Sequence, residues 1–252
     1  MIRFLAALLL LLPLSACIPV STIPIGSVPF EPTAATGHQT LVVLLPGRGS
    51  TASSFAEEGL VRELKRRRPE VDIVGVEAHL GYYRDRTLLA RIREDIVAPA
   101  RMKGYRQIWL VGISLGGLGA ALYDAAYPGE VTGIGMLAPY LGEGYLLEEI
   151  ERAGGLAKWR PVPVAGDVDQ EIWQQLASYA DASRSDGRVF LGFGTEDRFA
   201  AINRFFGALL PSGQVVSTPG GHDWQTWRKL WDAMLADPRF AASAPPEQAR
   251  RP

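Results

Sequence analysis

The chain contains a serine, an aspartate and a histidine of the kind that act together in nucleophilic catalysis, namely Ser114, Asp197 and His222. Ser114 lies in the segment Gly112–Gly116, Gly-Ile-Ser-Leu-Gly, which fits the pattern G-x-S-x-G. A serine hydroxyl becomes a good nucleophile when a neighbouring base takes its proton and an acid orients that base. The segment therefore favours a serine nucleophile for acyl transfer over a Gly-rich connection that happens to contain a serine.

The sequence around Ser114 predicts the local structure that such a nucleophile needs. Ile108–Val111 is a continuous apolar run, as expected for a strand buried on both faces. Apolar residues then return at helical spacing over Leu115–Tyr127. Glycines before and after the serine allow strand and helix to approach closely, and the helix N-terminus directs amide N–H groups and its positive dipole end towards bound substrate.

The sequence contains three histidines that could serve as the base. His38 precedes the first predicted core strand, and His79 follows the second and is interpreted as a hydrogen-bonded loop residue. His222 follows two glycines in a loop between the last predicted strand and the last predicted helix. It is favoured as the base because this loop can curl towards Ser114.

Asp197 is favoured as the acid because it follows directly after the predicted strand Val189–Phe193. Glu196 and Glu143 are its rivals. Asp223, which is adjacent to His222, is predicted to cap the last helix instead.

Stabilisation of an oxyanion requires backbone donors near the nucleophile. The N–H of Leu115 is one candidate, because it directly follows Ser114. The second is the N–H of Arg48, in the loop Leu45–Ser50, where glycines on both sides of Arg48 allow the backbone to turn inward. An ordinary Gly-rich turn is the alternative for that loop.

The whole chain alternates apolar strand-like runs with helical stretches. The fold class predicted is α/β, with a mostly parallel sheet flanked by helices on both faces and the working residues beyond the carboxyl ends of its strands. The predicted strands are Leu41–Leu45, Val71–Glu77, Ile108–Val111, Val131–Leu137, Val189–Phe193 and Gln214–Ser217. The predicted helices are Ser54–Arg67, Arg86–Met102, Leu115–Tyr127, Gln170–Ala182, Ala200–Leu209 and Trp224–Ala236.

Taken together, four motifs resemble serine hydrolases of the α/β-hydrolase fold. They are Leu45–Ser50, Gly112–Gly116, Gly194–Asp197 and Gly220–Trp224, and the resemblance covers roughly 40–236. Their order along the chain, serine then aspartate then histidine, is that of the family. The Gly-His-Asp-Trp sequence within the last motif is also similar to small carboxylesterases. The oxyanion loop has Pro-Gly where the family commonly has His-Gly.

The resemblance implies two-step hydrolysis of a small carboxylic ester through an acyl-enzyme, without metal or organic cofactor. Tyr82, Tyr83 and Trp159 are candidate pocket residues, and Leu141–Pro163 is interpreted as either a modest lid or packing over the sheet edge. A thioesterase or perhydrolase would use the same residues. A non-catalytic envelope protein that binds through a hydrolase fold is a further alternative.

The amino terminus resembles a bacterial lipoprotein signal, because a basic residue and an apolar run precede Leu14–Cys17, Leu-Ser-Ala-Cys. This resemblance implies lipid attachment to Cys17, and Ile18 directly after it favours the outer membrane, facing the periplasm. We divide the chain into a signal peptide (1–16), a Pro-rich tether (17–38) with a short edge strand around Ser27–Phe30, a hydrolase domain (39–237) and a polar tail (238–252).

Composition narrows the remaining possibilities. The 252 residues are 47% hydrophobic and 21% charged, which suits one domain with a sizeable core. Lys and Arg number 26 against 27 Asp and Glu, so nothing indicates a nucleic-acid partner. Cys17 is the single cysteine, which excludes a disulfide within one chain. The oligomeric state is left open.

Overall fold

A computed structural model describes residues 19–30, 39–181 and 187–241. Its seven strands are β1 Ser27–Phe30, β2 Thr40–Leu45, β3 Asp72–Val76, β4 Gln107–Ile113, β5 Gly133–Leu137, β6 Val189–Gly194 and β7 Val215–Thr218. They form one sheet in the order β1-β3-β2-β4-β5-β6-β7. β2 to β7 are parallel to one another, and β1 pairs antiparallel with β3 at the edge. The predicted mostly parallel sheet is confirmed, and all six predicted strands are present.

Ten α-helices accompany the strands in the described residues. They are α1 Ser54–Glu57, α2 Leu60–Arg67, α3 Leu80–Arg84, α4 Leu88–Arg91, α5 Ala98–Met102, α6 Leu115–Ala126, α7 Leu147–Arg152, α8 Val168–Leu176, α9 Ala200–Gly207 and α10 Trp224–Ala236. A π-helical segment, Ile92–Val97, joins α4 to α5, and 3₁₀ turns occupy Gly144–Leu146 and Ala177–Ala180. No helix in this part of the chain has the length and apolar character needed to cross a bilayer.

Burial on both faces explains why the central strands are continuous apolar runs. All seven residues of β4 are buried, and so are all six of β2. One apolar cluster packs α4, α5, α6, α8 and α9 onto one face of the sheet. A second cluster packs α1, α2 and α10 onto the other face. Since parallel strands end at the same edge, the loops after β2, β4, β6 and β7 meet at one carboxyl edge.

Several helices differ from the prediction. Ser54–Arg67 is two helices rather than one, because Gly59 adopts φ +82°, which interrupts a right-handed helix. Arg86–Met102 is divided by the π-helical segment Ile92–Val97, which ends two residues before Pro99, a residue with no N–H to donate. The helices α3 and α7 were not predicted. They are only five and six residues long, which is too short for a clear periodic signal.

Residues on both sides of 39–237 also pack on the domain. The described part of the expected tether, residues 19–30, lies on the domain, and it includes the expected edge strand Ser27–Phe30 as β1. At the other end, Phe240 is buried against the Trp109 ring, with ring centroids 5.1 Å apart, so packing continues past residue 237. Cys17, the signal peptide and residues 242–252 lie outside the described residues.

Candidate active site

Ser114 occupies the sharp turn between β4 and α6. Its backbone dihedrals, φ 53° and ψ −115°, are sparsely populated for a residue with a side chain. The turn is possible because Gly112 and Gly116 lack side chains. A Cβ at Gly112 would lie 2.0 Å from the Gly116 carbonyl oxygen, and one at Gly116 would lie 2.0 Å from the Leu45 carbonyl oxygen. The tight strand-to-helix turn predicted from the sequence is therefore present.

Backbone hydrogen bonds from the neighbouring strand hold this turn on both sides. The Ser114 N–H donates to the Leu137 carbonyl at the end of β5, at 2.9 Å. The Tyr140 N–H, three residues further on, donates to the Ser114 carbonyl at 3.0 Å. The serine is thus fixed by contacts that sequence analysis did not identify, because they depend on which strand lies beside β4.

The structure brings Ser114, His222 and Asp197 into one hydrogen-bonded line. Nδ1 of His222 lies 2.7 Å from Oδ2 of Asp197, and Nε2 lies 2.9 Å from Oγ of Ser114. Since a carboxylate only accepts hydrogen bonds, Nδ1 donates to it and Nε2 is left to accept from the hydroxyl. This is the tautomer that a general base for the serine requires.

Asp197 is itself held in place from the backbone. Its second oxygen, Oδ1, accepts a hydrogen bond of 2.8 Å from the Phe199 N–H, and the side chain is fully buried. The loop that carries it joins β6 to α9 and contacts the histidine loop, because the Glu196 N–H donates to the Gly220 carbonyl. Asp197 and His222 thus occupy two loops that are hydrogen-bonded to each other.

Two aromatic rings fix the orientation of the His222 imidazole. Phe199 and Trp227 each lie edge-on to it, with ring centroids 5.1 Å away. Phe199 also packs edge-on against Tyr140, and the Arg198 guanidinium lies 4.7 Å above the Phe199 ring. These rings exclude water from the sides of the imidazole. Sequence analysis did not identify Phe199, because its role depends on the packing of its ring against the distant His222.

The loop after β2 lies directly beside the serine. A Cβ at Gly47 would lie 3.4 Å from the Ser114 Cβ and 3.3 Å from the Ile113 carbonyl oxygen. Arg48 follows as an exposed residue, and Gly49 then adopts φ +81°. Leu115 is the first residue of α6, so its N–H has no acceptor within the helix. The two candidate oxyanion donors therefore belong to segments that meet at Ser114.

The structure assigns other partners to two of the rival residues. His79 caps α3, its Nδ1 accepting from the Gly81 N–H at 3.2 Å, which confirms its interpretation as a hydrogen-bonded loop residue. The Glu143 N–H donates to Asp169, while its own side chain is exposed. His38 lies outside the described residues.

Asp223 is the N-cap of α10, as predicted. Its carboxylate accepts from the Thr226 N–H at 2.9 Å. Hydrogen bonds from the Thr226 backbone and its neighbours lower the pKa of Asp223.

The three expected pocket residues occupy different surroundings. The Tyr83 hydroxyl donates to the Leu115 carbonyl at 2.8 Å, directly beside the serine turn, and burial raises its pKa. The Tyr82 hydroxyl instead lies 2.8 Å from Oγ1 of Thr22, in the amino-terminal segment. Trp159 is buried and donates from Nε1 to Glu149 at 2.9 Å. Of the three, only Tyr83 has a described contact beside Ser114.

Comparison with solved structures identifies the fold. A ferulic acid esterase superposes with a TM-score of 0.55 at 17% identity, covering 77% of this chain and 82% of that chain. Est1E from Butyrivibrio proteoclasticus gives 0.55 at 17% identity, covering 84% and 93%. S-formylglutathione hydrolase (FrmB) from Staphylococcus aureus gives 0.53 at 13% identity, covering 86% and 97%. The sheet and its carboxyl-edge loops are those of an α/β-hydrolase fold.

A match to a family model then places the chain more narrowly. Residues 86–237 match the Esterase family, described as "Putative esterase", and the chain belongs to that family. It is a serine hydrolase that acts on esters. No curated protein sequence matches the chain.

Proposed function

We propose that the protein hydrolyses small carboxylic esters through an acyl-enzyme on Ser114, with His222 as general base and Asp197 as the orienting acid. The observation that carries this proposal is the line of hydrogen bonds Ser114 Oγ–His222 Nε2 and His222 Nδ1–Asp197 Oδ2, at 2.9 and 2.7 Å. The matched family segment contains all three residues.

In the first step, His222 takes the hydroxyl proton as Ser114 Oγ attacks the ester carbonyl. The tetrahedral oxyanion forms near the start of α6, where the Leu115 N–H and the Arg48 N–H are the proposed donors. The imidazolium then gives its proton to the leaving alcohol, and the C–O bond to that alcohol breaks. In the second step, water gives a proton to His222 and attacks the acyl carbonyl, which releases the acid and restores Ser114.

We also propose that the protein is anchored to the bacterial cell envelope through lipid on Cys17, facing the periplasm from the outer membrane. The support is the sequence Leu14–Cys17 after a short apolar run. The nine apolar residues Phe4–Leu12 are too few to span a bilayer as a retained helix, which needs about 20.

Substitution of Ser114 and His222 tests the catalytic proposal. Ser114→Ala and His222→Ala should each abolish most hydrolysis of p-nitrophenyl acetate while circular dichroism shows a folded protein. The double variant should be little worse than either single variant, because the two residues act in one step. A fluorophosphonate probe should label the parent protein and fail to label Ser114→Ala. Losses that multiply in the double variant, or labelling that persists without Ser114, would contradict the proposal.

A further inference from the structure

The segment that follows Cys17 is bound to the domain by side-chain and backbone contacts. The Tyr82 hydroxyl lies 2.8 Å from Oγ1 of Thr22, and the Thr22 N–H donates to the same hydroxyl at 3.0 Å. Oγ of Ser21 donates to Asp85 at 2.7 Å. The Pro19 carbonyl oxygen lies so close to Gly81 that a Cβ there would be 2.1 Å from it. Residues 19–22 are therefore clamped onto α3 rather than extended into solvent.

The direction of β1 decides the edge of the sheet at which this clamp lies. β1 is antiparallel to β3, with Ser27 paired to Val76 at the carboxyl end of β3. The chain therefore enters β1 from the carboxyl edge, which is the edge that carries Ser114. The next tyrosine along α3, Tyr83, bonds to the Leu115 carbonyl beside the serine. A parallel first strand would have brought the chain in at the opposite edge.

Covalent geometry limits how far Cys17 can lie from this clamp. Consecutive Cα atoms are about 3.8 Å apart, so the Cα of Cys17 is at most about 8 Å from that of Pro19. A lipid on Cys17 would therefore emerge beside α3 at the carboxyl edge. Between the lipid and β1 the chain would then run through residues 19–26. This stretch ends where the Gly26 carbonyl accepts from the Glu77 N–H.

The same edge exposes apolar side chains in the segment between β5 and α8. Val162 is 82% exposed, and its carbonyl accepts from Nε2 of Gln170 on α8 at 3.0 Å. Val164, which is also exposed, donates its N–H to Oε1 of the same glutamine. Tyr145, earlier in the same segment, and Val168, the first residue of α8, are also exposed, and the four side chains are called the apolar group below.

An ion pair joins this group to the clamped segment. Glu171, beside Gln170, pairs with Arg86 at 2.7 Å, and Arg86 follows Asp85, the partner of Ser21. The exposed side chains of Val20 and Ile23, 76% and 79% exposed, flank these contacts. The clamp and the apolar group after β5 therefore belong to one surface at the carboxyl edge, which is the edge that carries Ser114.

We infer that the clamp orients the enzyme on its membrane, with the carboxyl edge and Ser114 facing the bilayer and the exposed apolar side chains resting on its surface. This inference relies on the lipid attachment to Cys17 in the proposed function. We expect the bilayer to contact this surface, because the lipidated Cys17 is only two residues from Pro19, where the clamp begins. An extended tether would leave the orientation random.

Site-directed fluorescence in lipid vesicles tests the orientation. Val162→Cys and Met102→Cys provide a matched pair, since the two side chains are 82% and 81% exposed and Met102 lies before β4, at the opposite edge. A strand as long as β4 separates the two edges by about 20 Å, at about 3.3 Å per residue. Each full-length variant is expressed in a bacterial host, labelled with bimane and reconstituted in phosphatidylethanolamine–phosphatidylglycerol vesicles that contain a spin-labelled lipid. The lipid occupies the sulfur of Cys17, so the new cysteine alone reacts.

The label at 162 should be quenched several-fold more strongly than the label at 102. Equal quenching, or stronger quenching at 102, would overturn the orientation. Shielding of the label at 162 from iodide without quenching by lipid would also overturn it, because that result indicates a second copy of the chain on this surface.

Two further measurements separate this inference from the proposals that it uses. Incorporation of labelled fatty acid and flotation with the vesicles, both lost in Cys17→Ser, report on the anchor. Fluorophosphonate labelling reports on the serine. Without fatty-acid incorporation the anchor and the orientation both fail, while esterase activity stands. With an anchored, active protein and equal quenching, the orientation alone fails.

Loosening the clamp gives an independent test. Tyr82→Phe removes the hydroxyl that contacts Thr22 and should reduce the difference in quenching between positions 162 and 102. Tyr105→Phe is the matched control, because its hydroxyl donates to Asp72 at the other end of β3, at 2.7 Å, and it should leave the difference unchanged. A difference that survives Tyr82→Phe, in a protein folded by circular dichroism, would contradict the role of the clamp.

Discussion

Asp197 divides its two carboxylate oxygens between the His222 ring and the Phe199 N–H. In Asp197→Asn, an amide oxygen that keeps the hydrogen bond from the Phe199 N–H places the amide N–H₂ against Nδ1 of His222. Nδ1 must then accept, so the ring proton moves to Nε2, which can no longer take the proton of Ser114. We expect kcat to fall by about 10³ to 10⁴, with little change in substrate affinity. Steady-state kinetics on p-nitrophenyl acetate measures this.

Glu196 supplies the control at the residue scale, since it is adjacent to Asp197 but exposed. Glu196→Gln should retain nearly full activity. A damaging Glu196→Gln or Glu143→Gln beside a harmless Asp197→Asn would mean that the acid is wrongly assigned.

The turn between β4 and α6 depends on close backbone contacts at two glycines. In Gly116→Ala, the new Cβ would meet the Leu45 carbonyl oxygen at 2.0 Å, and a backbone atom of a central strand cannot move aside cheaply. We expect a loss of unfolding free energy of about 3 kcal/mol or more, together with loss of activity, because Ser114 moves with the turn. Urea denaturation measures the first effect and ester hydrolysis the second.

Gly144 provides the matched glycine, because a Cβ there would find its nearest neighbour 3.9 Å away. Gly144→Ala should change stability by less than about 1 kcal/mol. Equal losses of stability in Gly116→Ala and Gly144→Ala would show that the close contact with Leu45 is not what requires glycine at position 116.

The Asp223 cap makes the stability of α10, the helix that follows His222, depend on pH. The Thr226 N–H, first among its donors, lowers the pKa of Asp223 in the folded protein. The capping stability is therefore present above the ordinary pKa of an aspartate, and it is lost as the pH falls through the lowered pKa. Asp223→Ala should cost about 1 kcal/mol at neutral pH and less in acid, where the parent has lost the same contribution.

Asparagine at 223 caps a helix without a charge that titrates. Asp223→Asn should keep most of the stability at neutral pH and lose less of it in acid than the parent does. Urea denaturation at several pH values compares the three proteins. If Asp223→Ala were equally costly at neutral and acid pH, the charge of the carboxylate would not contribute.

At the scale of the whole molecule, the sequence predicted those features that follow from local pattern. Alternating apolar runs gave the six parallel strands, and glycines around Ser114 indicated the sharp turn. The contacts between distant segments could not be read in this way. The clamp of Thr22 on Tyr82 joins residues 60 positions apart, and the antiparallel pairing of β1 leaves no periodic trace in four residues. The break between α1 and α2 at Gly59 was not predicted for a related reason. The positive φ of Gly59 depends on the packing around it, which the local sequence does not show.

The packing of the long connection between β5 and α8 bears on the size of substrate that the enzyme accepts. The sequence is compatible with either a lid or packing at Leu141–Pro163, and the structure shows extensive packing in this segment. The Asp169 carboxylate accepts from the Glu143 N–H at 2.8 Å, and Trp159 is buried and bonded to Glu149. Ser114 itself is only 8% exposed. This packed loop follows Tyr140, whose N–H bonds to the Ser114 carbonyl. A nearly buried nucleophile beside a packed loop favours short acyl groups, because a long chain would have to displace packed side chains.

We therefore expect a series of p-nitrophenyl esters to show the highest kcat/KM for short acyl chains, with a steep decline as the chain lengthens. The rate should rise smoothly with substrate concentration and show no jump above the solubility limit, since the contacts in Leu141–Pro163 hold this segment in place rather than leave it free to open at an interface. The measurement uses protein released from the membrane by Cys17→Ser, so that proximity to lipid does not enrich the longer esters. Trp159→Ala should shift the optimum towards longer chains by loosening the packing of this segment, whereas Tyr145→Phe, an exposed change in the same segment, should leave the optimum in place. A preference for long chains in the parent protein, or a sharp rise at the solubility limit, would indicate a lipase with a cover that opens.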